Sequence, residues 1–260
     1  MPFSESIVTV DGCRVSVKRG GVGEPLLFLH GAGGASAILP FMEKLAQRFE
    51  IIVPEHPGFG ATDEPGWLEN IHDLAYFYLD FLKAERLQRV HLIGGSIGGW
   101  IALEMAVRDS SRLRTLTLVG SAGIHIAGAP TGDLFLWSPE ETFRNAFFDQ
   151  KLAEQALAER LTPDQHDTGL RNKFTVAKLA WEPRLHDPNL HKWLHRIEIP
   201  THVVWGDSDR MFPVQYGEAF QRLIPHSELT VIRRCGHLPQ VERADEFCST
   251  VQRFIEARKS

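Results

Sequence analysis

Ser96 lies in Gly94-Gly95-Ser96-Ile97-Gly98, an instance of the pattern G-x-S-x-G. With 22 glycines in the chain the pattern alone carries little weight, so its surroundings decide. An apolar run, Val90-His91-Leu92-Ile93, precedes the serine, and a helical stretch from Ile97 to Val107 follows it. A serine on a tight strand-to-helix turn projects its hydroxyl above a sheet. Side chains two residues to either side would collide there, and Gly94 and Gly98 remove them. The helix start also aims backbone N–H groups at the same point.

A serine alcohol is a poor nucleophile at neutral pH. It needs a general base, and the base needs an orienting acid. Cys235-Gly236-His237 follows the apolar run Leu229-Thr230-Val231-Ile232, and Gly206-Asp207-Ser208-Asp209 follows Thr201-His202-Val203-Val204-Trp205. Both loops fall at the C-terminal ends of predicted strands, the sheet edge that also carries Ser96. His237 is singled out by this position among 12 histidines. Asp209, further out in its loop, is the expected acid, while Asp207 is expected to shape the turn. A developing oxyanion needs two preorganised donors. The N–H of Ile97 is the first; the N–H of Ala32, in His30-Gly31-Ala32-Gly33-Gly34, is the second. This glycine loop has neither G-x-G-x-x-G spacing nor a Walker lysine, so it does not read as a phosphate cradle.

The elements that must position these residues alternate along the chain. Ile7–Val10 and Arg14–Val17 flank Asp11-Gly12, a hairpin signal. Leu26–Leu29 and Ile51–Val53 are continuous apolar runs, expected of strands buried on both faces. Helices are predicted at 37–48, 71–84 and 97–107, and a strand at Leu116–Val119. Strand and helix in alternation imply parallel strands joined by right-handed crossovers. The rhythm stops after Gly120. Residues 121–199 contain no buried strand and read as helices at 139–150, 151–161, 163–179 and 189–196. The rhythm resumes with the strands around Thr201–Trp205 and Leu229–Ile232 and helices at 214–223 and 244–257. Residues 1–120 and 200–260 are therefore expected to form the core, and residues 121–199 an inserted helical cap.

The whole composition sets outer bounds. The chain has 260 residues, 43% of them hydrophobic and 23% charged, as in ordinary single α/β domains. A net charge of −5 without basic clusters argues against nucleic acid as a partner. No apolar run reaches the length of a membrane span, and the first residues lack a secretory pattern. The 3 cysteines are scattered, which fits reduced thiols. A cytoplasmic protein acting on a small molecule, as a monomer or homodimer, is the expectation. His191 and His195 share a metal-like spacing, but Lys192 stands where a zincin carries Glu and no third ligand is evident. No metal and no cofactor are expected.

Taken together, His30-Gly31-Ala32-Gly33, Pro57-Gly58-Phe59-Gly60, Gly94 to Gly99, Trp205 to Arg210 and Cys235-Gly236-His237 resemble the α/β-hydrolase superfamily over nearly the whole chain. The resemblance implies a mostly parallel eight-stranded sheet flanked by helices, with a helical cap. It implies a Ser96–His237–Asp209 triad with Ala32 and Ile97 as oxyanion donors. His30, Gly31, Gly95, Trp137, Phe147, Trp181 and Leu238 are the expected substrate-lining residues. The expected activity is hydrolysis of a small or medium carboxylic ester through an acyl-enzyme. The alternative is C–C hydrolysis of ring-fission (meta-cleavage) products. That branch usually carries Asn before the nucleophile and Trp after the histidine, where this chain has Gly95 and Leu238. A cofactor-free oxygenase or lyase, or a ligand receptor, would be a different use of the same fold.

Overall fold

The computed structural model describes residues 2–258. Eight strands form one sheet in the order β1-β2-β4-β3-β5-β6-β7-β8. β1 (Ser4–Val10) and β2 (Cys13–Gly20) make the predicted hairpin, and β2 pairs antiparallel with β4 (Phe49–Pro54). The remaining pairings are parallel, through β3 (Glu24–Leu29), β5 (Val90–Gly95), β6 (Leu113–Val119), β7 (Thr201–Gly206) and β8 (Ser227–Ile232). The parallel strands therefore end at one edge of the sheet. From that edge leave the loops carrying His30, Glu55, Ser96, Gly120, Asp209 and His237.

The apolar runs behave as a two-sided sheet requires. Along β3, Leu27 and Leu29 pack into one core, while Leu26 and Phe28 pack into the other. The first core lies against α2 (Ile71–Ala84), α3 (Ile97–Arg108) and α7 (Gln215–Leu223). The second lies against α1 (Pro40–Leu45) and α9 (Ala244–Glu256). β8, at the sheet edge, keeps several residues half-buried or exposed. α2 starts where its sequence says it should, because Asn70 and Asp73 form a capping box. α1 is shorter than its apolar pattern suggests, since Pro40 sits in its first turn and sets the start.

No strand forms between β6 and β7 among the described residues. This helical insertion holds α4 (Pro139–Ala146), α5 (Gln150–Ala158) and α6 (Pro163–Ala180). Capping boxes from Ser138 to Glu141 and from Thr162 to Gln165 start α4 and α6. The helix expected at 139–150 stops at Ala146, and Asp149 caps a new one by accepting from the Lys151 N–H. The helix expected at 189–196 is instead two 3-10 turns, Leu190–Lys192 and Leu194–Arg196. So short a segment has little helical stability of its own. Burial of Leu190 and Leu194 fixes its shape. His191 and His195 are both exposed on these turns. After β8 and His237 comes α8 (Pro239–Glu242), a single turn that the sequence pattern does not announce.

The glycines around Ser96 are required by contact. A Cβ on Gly98 would sit 2.1 Å from the Leu29 carbonyl oxygen, and one on Gly94 would sit 2.4 Å from the Gly98 oxygen. Both obstacles are backbone and cannot swing away. Gly98→Ala should lose stability at the upper end of the about 1–3 kcal/mol typical of overpacking. Gly66→Ala, where a Cβ meets nothing within 4 Å, is the control. Urea midpoints of the two variants check this: equal midpoints would mean that β3 and α3 are not in close contact.

Candidate active site

Ser96 adopts φ 54° and ψ −120°, a left-handed conformation that costs a non-glycine residue about 1–3 kcal/mol. The surroundings hold it there: its N–H donates to the Val119 carbonyl, and its carbonyl accepts from Gly99, Trp100 and Ala122. Ser96 is the N-cap of α3, yet its hydroxyl makes no capping bond. A serine at that position normally satisfies an N–H of the first turn. Here the strained backbone turns the hydroxyl elsewhere, and it stays available for chemistry.

His237 and Asp209 meet directly. His237 Nδ1–H donates to Asp209 Oδ2 at 2.9 Å, and both side chains are buried. The other carboxylate oxygen accepts from the N–H groups of Met211 (2.8 Å) and Phe212 (3.0 Å). The acid is thus pinned by its own loop and presents one oxygen to the imidazole. That assigns the His237 tautomer: the proton is on Nδ1, and Nε2 is left as the base. Asp207 instead braces the turn, accepting from the Ser208 hydroxyl and the Cys235 N–H. Gly120 lies against the histidine; a Cβ there would lie 3.0 Å from His237 Nδ1. Ser96 Oγ and His237 are not hydrogen-bonded in this structure. Such bonds often tighten only when substrate is bound.

The glycine-rich loop after β3 lies against the serine. A Cβ on Gly31 would be 3.1 Å from Ser96 Cβ and 3.8 Å from its Oγ. Neither Ala32 nor Ile97 spends its backbone N–H on an acceptor among the described residues. Leu238 packs beside Ala146, Phe147 and Ala153, so Phe147 stands next to the histidine loop. Trp137 is partly buried against the larger core. Trp181 is 48% exposed and lies on the surface, edge-on to Phe135 with the Arg184 guanidinium 4.3 Å above its ring. A Cβ on Gly95 would meet Gln240 Nε2 at 3.8 Å and Phe28 at 3.9 Å, so there is room beside the nucleophile.

His30 belongs to a buried network with His56. Its Nδ1–H donates to the Gly31 carbonyl (2.7 Å), and its Nε2 accepts from the His56 N–H (3.0 Å). His56 Nε2–H donates to the His30 carbonyl (2.9 Å), and its Nδ1 accepts from the Tyr78 hydroxyl (2.5 Å). The rings stack 3.6 Å apart. His56 is therefore a fully buried support of the loop. Burial pushes His30 down to about 4, against the opposing pulls of the Gly31 carbonyl bond and of Glu55. Burial, then the neighbouring His30, holds His56 well below the ordinary histidine range.

A consequence for stability follows from the sign of these shifts. Between the ordinary value near 6.5 and about 4, the unfolded chain takes up protons that His30 refuses in the fold. The His30 contribution to stability should therefore fall as pH drops across that window and level off below it. His202, also lowered to about 4 by burial, adds to the same slope. Urea midpoints from pH 7 to 4.5 should decline in the wild type and decline less steeply in His30→Gln. Equal slopes would show that His30 is not held neutral.

Three groups of the described residues could approach a metal: His72, Glu104 and Asp187, with ligand atoms within 4.8 Å of one another. They line a cavity of about 430 Å3 with Trp193 and Arg196, apart from Ser96. Arg108 already ion-pairs with Glu104, and its Nη2 lies 2.7 Å from His72 Nδ1. A guanidinium thus supplies the positive charge there, and the cluster fastens α2 and α3 to the insertion. Cys13, Cys235 and Cys248 are free and buried, and burial raises all three thiols.

A strained serine between strand and helix, a buried Asp–His pair and a glycine loop share one sheet edge. Residues 26–250 match the model of the Alpha/beta hydrolase family. The chain belongs to that family. This hydrolase is 28% identical over 261 residues to the 2-hydroxymuconate semialdehyde hydrolase of Pseudomonas sp. (strain CF600), covering 94% of this chain and 91% of that protein. It is 26% identical over 279 residues to Lipase 1 of Psychrobacter immobilis, covering 98% and 86%. Among solved structures, a serine hydrolase involved in carbazole degradation superposes with a TM-score of 0.79 at 22% identity, covering 99% of this hydrolase and 100% of that chain. No helix among the described residues is long and apolar enough to cross a membrane.

The sequence reading missed several supports of the site. Glu55 accepts from Ala35 N–H (3.3 Å) and Ala61 N–H (3.1 Å), tying the loop after β3 to the loop after β4. Glu242 accepts from Phe148 N–H (2.9 Å) and Gly236 N–H (3.4 Å), and burial raises its carboxyl. The His237 N–H donates to the Ala146 carbonyl at 2.7 Å. The insertion thereby grips the histidine loop. Glu55, beside the Pro57–Gly60 motif, is the one of these that its position could have flagged.

Proposed function

We propose that this chain is a serine hydrolase in which Ser96 attacks a substrate carbonyl. The observation that carries this reading is the buried Asp209–His237 bond beside a serine held at φ 54°. His237 Nε2 takes the Ser96 proton as the Oγ–carbon bond forms. Asp209 stabilises the imidazolium and keeps the proton on Nδ1. The free N–H groups of Ala32 and Ile97 serve the oxyanion, one donor of this kind being worth about 2.7–4 kcal/mol. His237 then protonates the leaving atom, and a water activated by the same histidine releases the acid and restores Ser96. Residues 121–199 act as the cap that screens this chemistry from bulk water.

The substrate class is where the relatives move the expectation. The sequence alone favours a carboxylic ester. Several relatives carry names such as 2-hydroxymuconate semialdehyde hydrolase and 2-hydroxy-6-oxo-2,4-heptadienoate hydrolase. We therefore put C–C hydrolysis of a 2-hydroxy-6-oxo-dienoate first. Water then adds hydroxyl to the carbonyl carbon, and the proton goes to the departing carbon, supplied by His237. An ester remains the second reading, because Gly95 and Leu238 depart from the C–C branch and Lipase 1 is also similar. Wild type and Ser96→Ala should be compared on ring-fission dienoates, followed by loss of the dienolate absorbance, and on nitrophenyl esters. The expected result is a kcat/KM about 100-fold higher for the dienoate, dependent on Ser96. Faster ester turnover would put the ester first, and Ser96-independent turnover of both would end the serine reading.

A further inference from the structure

The insertion touches the glycine loop through one buried side chain. Asn172, on α6, is 3% exposed. Its Nδ2 donates to the Gly33 carbonyl at 3.1 Å, and its Oδ1 accepts from the Gly60 N–H at 3.0 Å. One amide thus joins three segments: α6, the loop after β3 and the loop after β4. The contact is close. Gly34 has φ +85°, and a Cβ on it would lie 2.5 Å from Asn172 Nδ2. The path from Asn172 to the nucleophile is short. Asn172 holds the Gly33 carbonyl, the Gly34 N–H closes the turn onto the Gly31 carbonyl at 3.2 Å, and Gly31 abuts Ser96. Ala32, the proposed oxyanion donor, lies inside that turn.

Neighbouring residues on α6 fasten it differently. Arg171 donates to the carbonyls of Gly60 and Thr62, each at 2.7 Å, and Thr175 donates to the Gly58 carbonyl at 2.7 Å. Those bonds reach only the loop after β4. Asn172 alone among the three also holds the loop after β3. Glu55 bridges the same two loops from the core side. The glycine loop is therefore clamped between a core carboxylate and a cap amide.

The geometry points to Asn172 as a positioning residue of the oxyanion hole: seating of cap helix α6 sets the Ala32 N–H. This rests on the serine-hydrolase reading above. An oxyanion donor acts only if it is in place before charge develops. Losing the Gly33 anchor frees the turn, so the transition state suffers more than the bound substrate. A catalytic cost in kcat rather than KM is the signature.

The test uses the full chain with Asn172→Ala and Thr175→Val as paired variants. Turnover of a short nitrophenyl ester is measured, together with hydrogen exchange of the peptide spanning residues 30–36. Asn172→Ala should lower kcat about 100-fold with KM within about twofold, and exchange of that peptide should quicken about tenfold. Thr175→Val, which also loosens α6, should keep kcat within about twofold. Equal losses in both variants, a loss carried by KM, or unchanged exchange at 30–36 would each overturn the inference. Exchange is read without turnover, so a wild type inactive on both the ester and a ring-fission dienoate would refute the serine reading while the clamp is still decided.

Discussion

Replacing Ser96 by alanine is expected to reduce turnover about 10⁴- to 10⁶-fold while leaving the fold intact. The size follows from the unit in which the serine works. In the proposed mechanism Ser96 is the group that His237 and Asp209 activate, so removing the hydroxyl removes the whole covalent route. What would remain is binding and the proposed oxyanion donors, which would still favour direct attack by water. The fold should tolerate the change because the Ser96 hydroxyl makes no capping bond to α3. The strained φ of 54° is held by backbone bonds to Val119, Gly99, Trp100 and Ala122, all of which alanine keeps. Initial rates and a urea melt on one preparation check both halves. A loss of under tenfold would remove Ser96 from the chemistry.

Asp209→Asn should cost about 10⁴-fold in kcat with little change in stability. The reason lies in the carboxylate's other partners. One oxygen accepts from the Met211 and Phe212 N–H groups. An asparagine must keep its carbonyl oxygen toward those two donors, so its NH₂ turns to His237. Facing a donor, His237 Nδ1 must accept, and the ring proton moves to Nε2. The base that should take the Ser96 proton is then already protonated. Asp207→Asn, one turn away, should leave kcat within about threefold, since Asp207 bonds Ser208 and Cys235 rather than the histidine. Steady-state kinetics of the two variants separate these roles; similar losses would mean that the wrong aspartate has been assigned.

What could be read from the sequence was what is local. The runs Leu26–Leu29 and Val90–Ile93 could only be strands buried on both faces, and both are. Positions 94 and 98 are glycine because backbone oxygens crowd them, and the crowding is visible in the pattern. Asp209 and His237 could be placed together because their loops leave the same ends of neighbouring parallel strands, and their side chains do meet. Contacts between distant segments left no such mark. Asn172 sits in an unremarkable helical stretch, and its partners Gly33 and Gly60 lie over a hundred residues earlier in the chain. Glu242 belongs to a one-turn helix too short to show periodicity. Trp181 looked like a pocket wall by its type, but Arg184 and Phe135 take its ring at the surface. The helix expected near 189–196 became two 3-10 turns because tertiary burial of two leucines outweighs weak local preference.

The central claim is that Ser96 is the activated nucleophile of an Asp209–His237 pair. Labelling with a fluorophosphonate, followed by peptide mass mapping, tests it without knowledge of the substrate. One adduct on the peptide containing Ser96 is expected, formed at least about a thousandfold more slowly in His237→Ala. Labelling of another residue, or an undiminished rate in His237→Ala, would contradict the account.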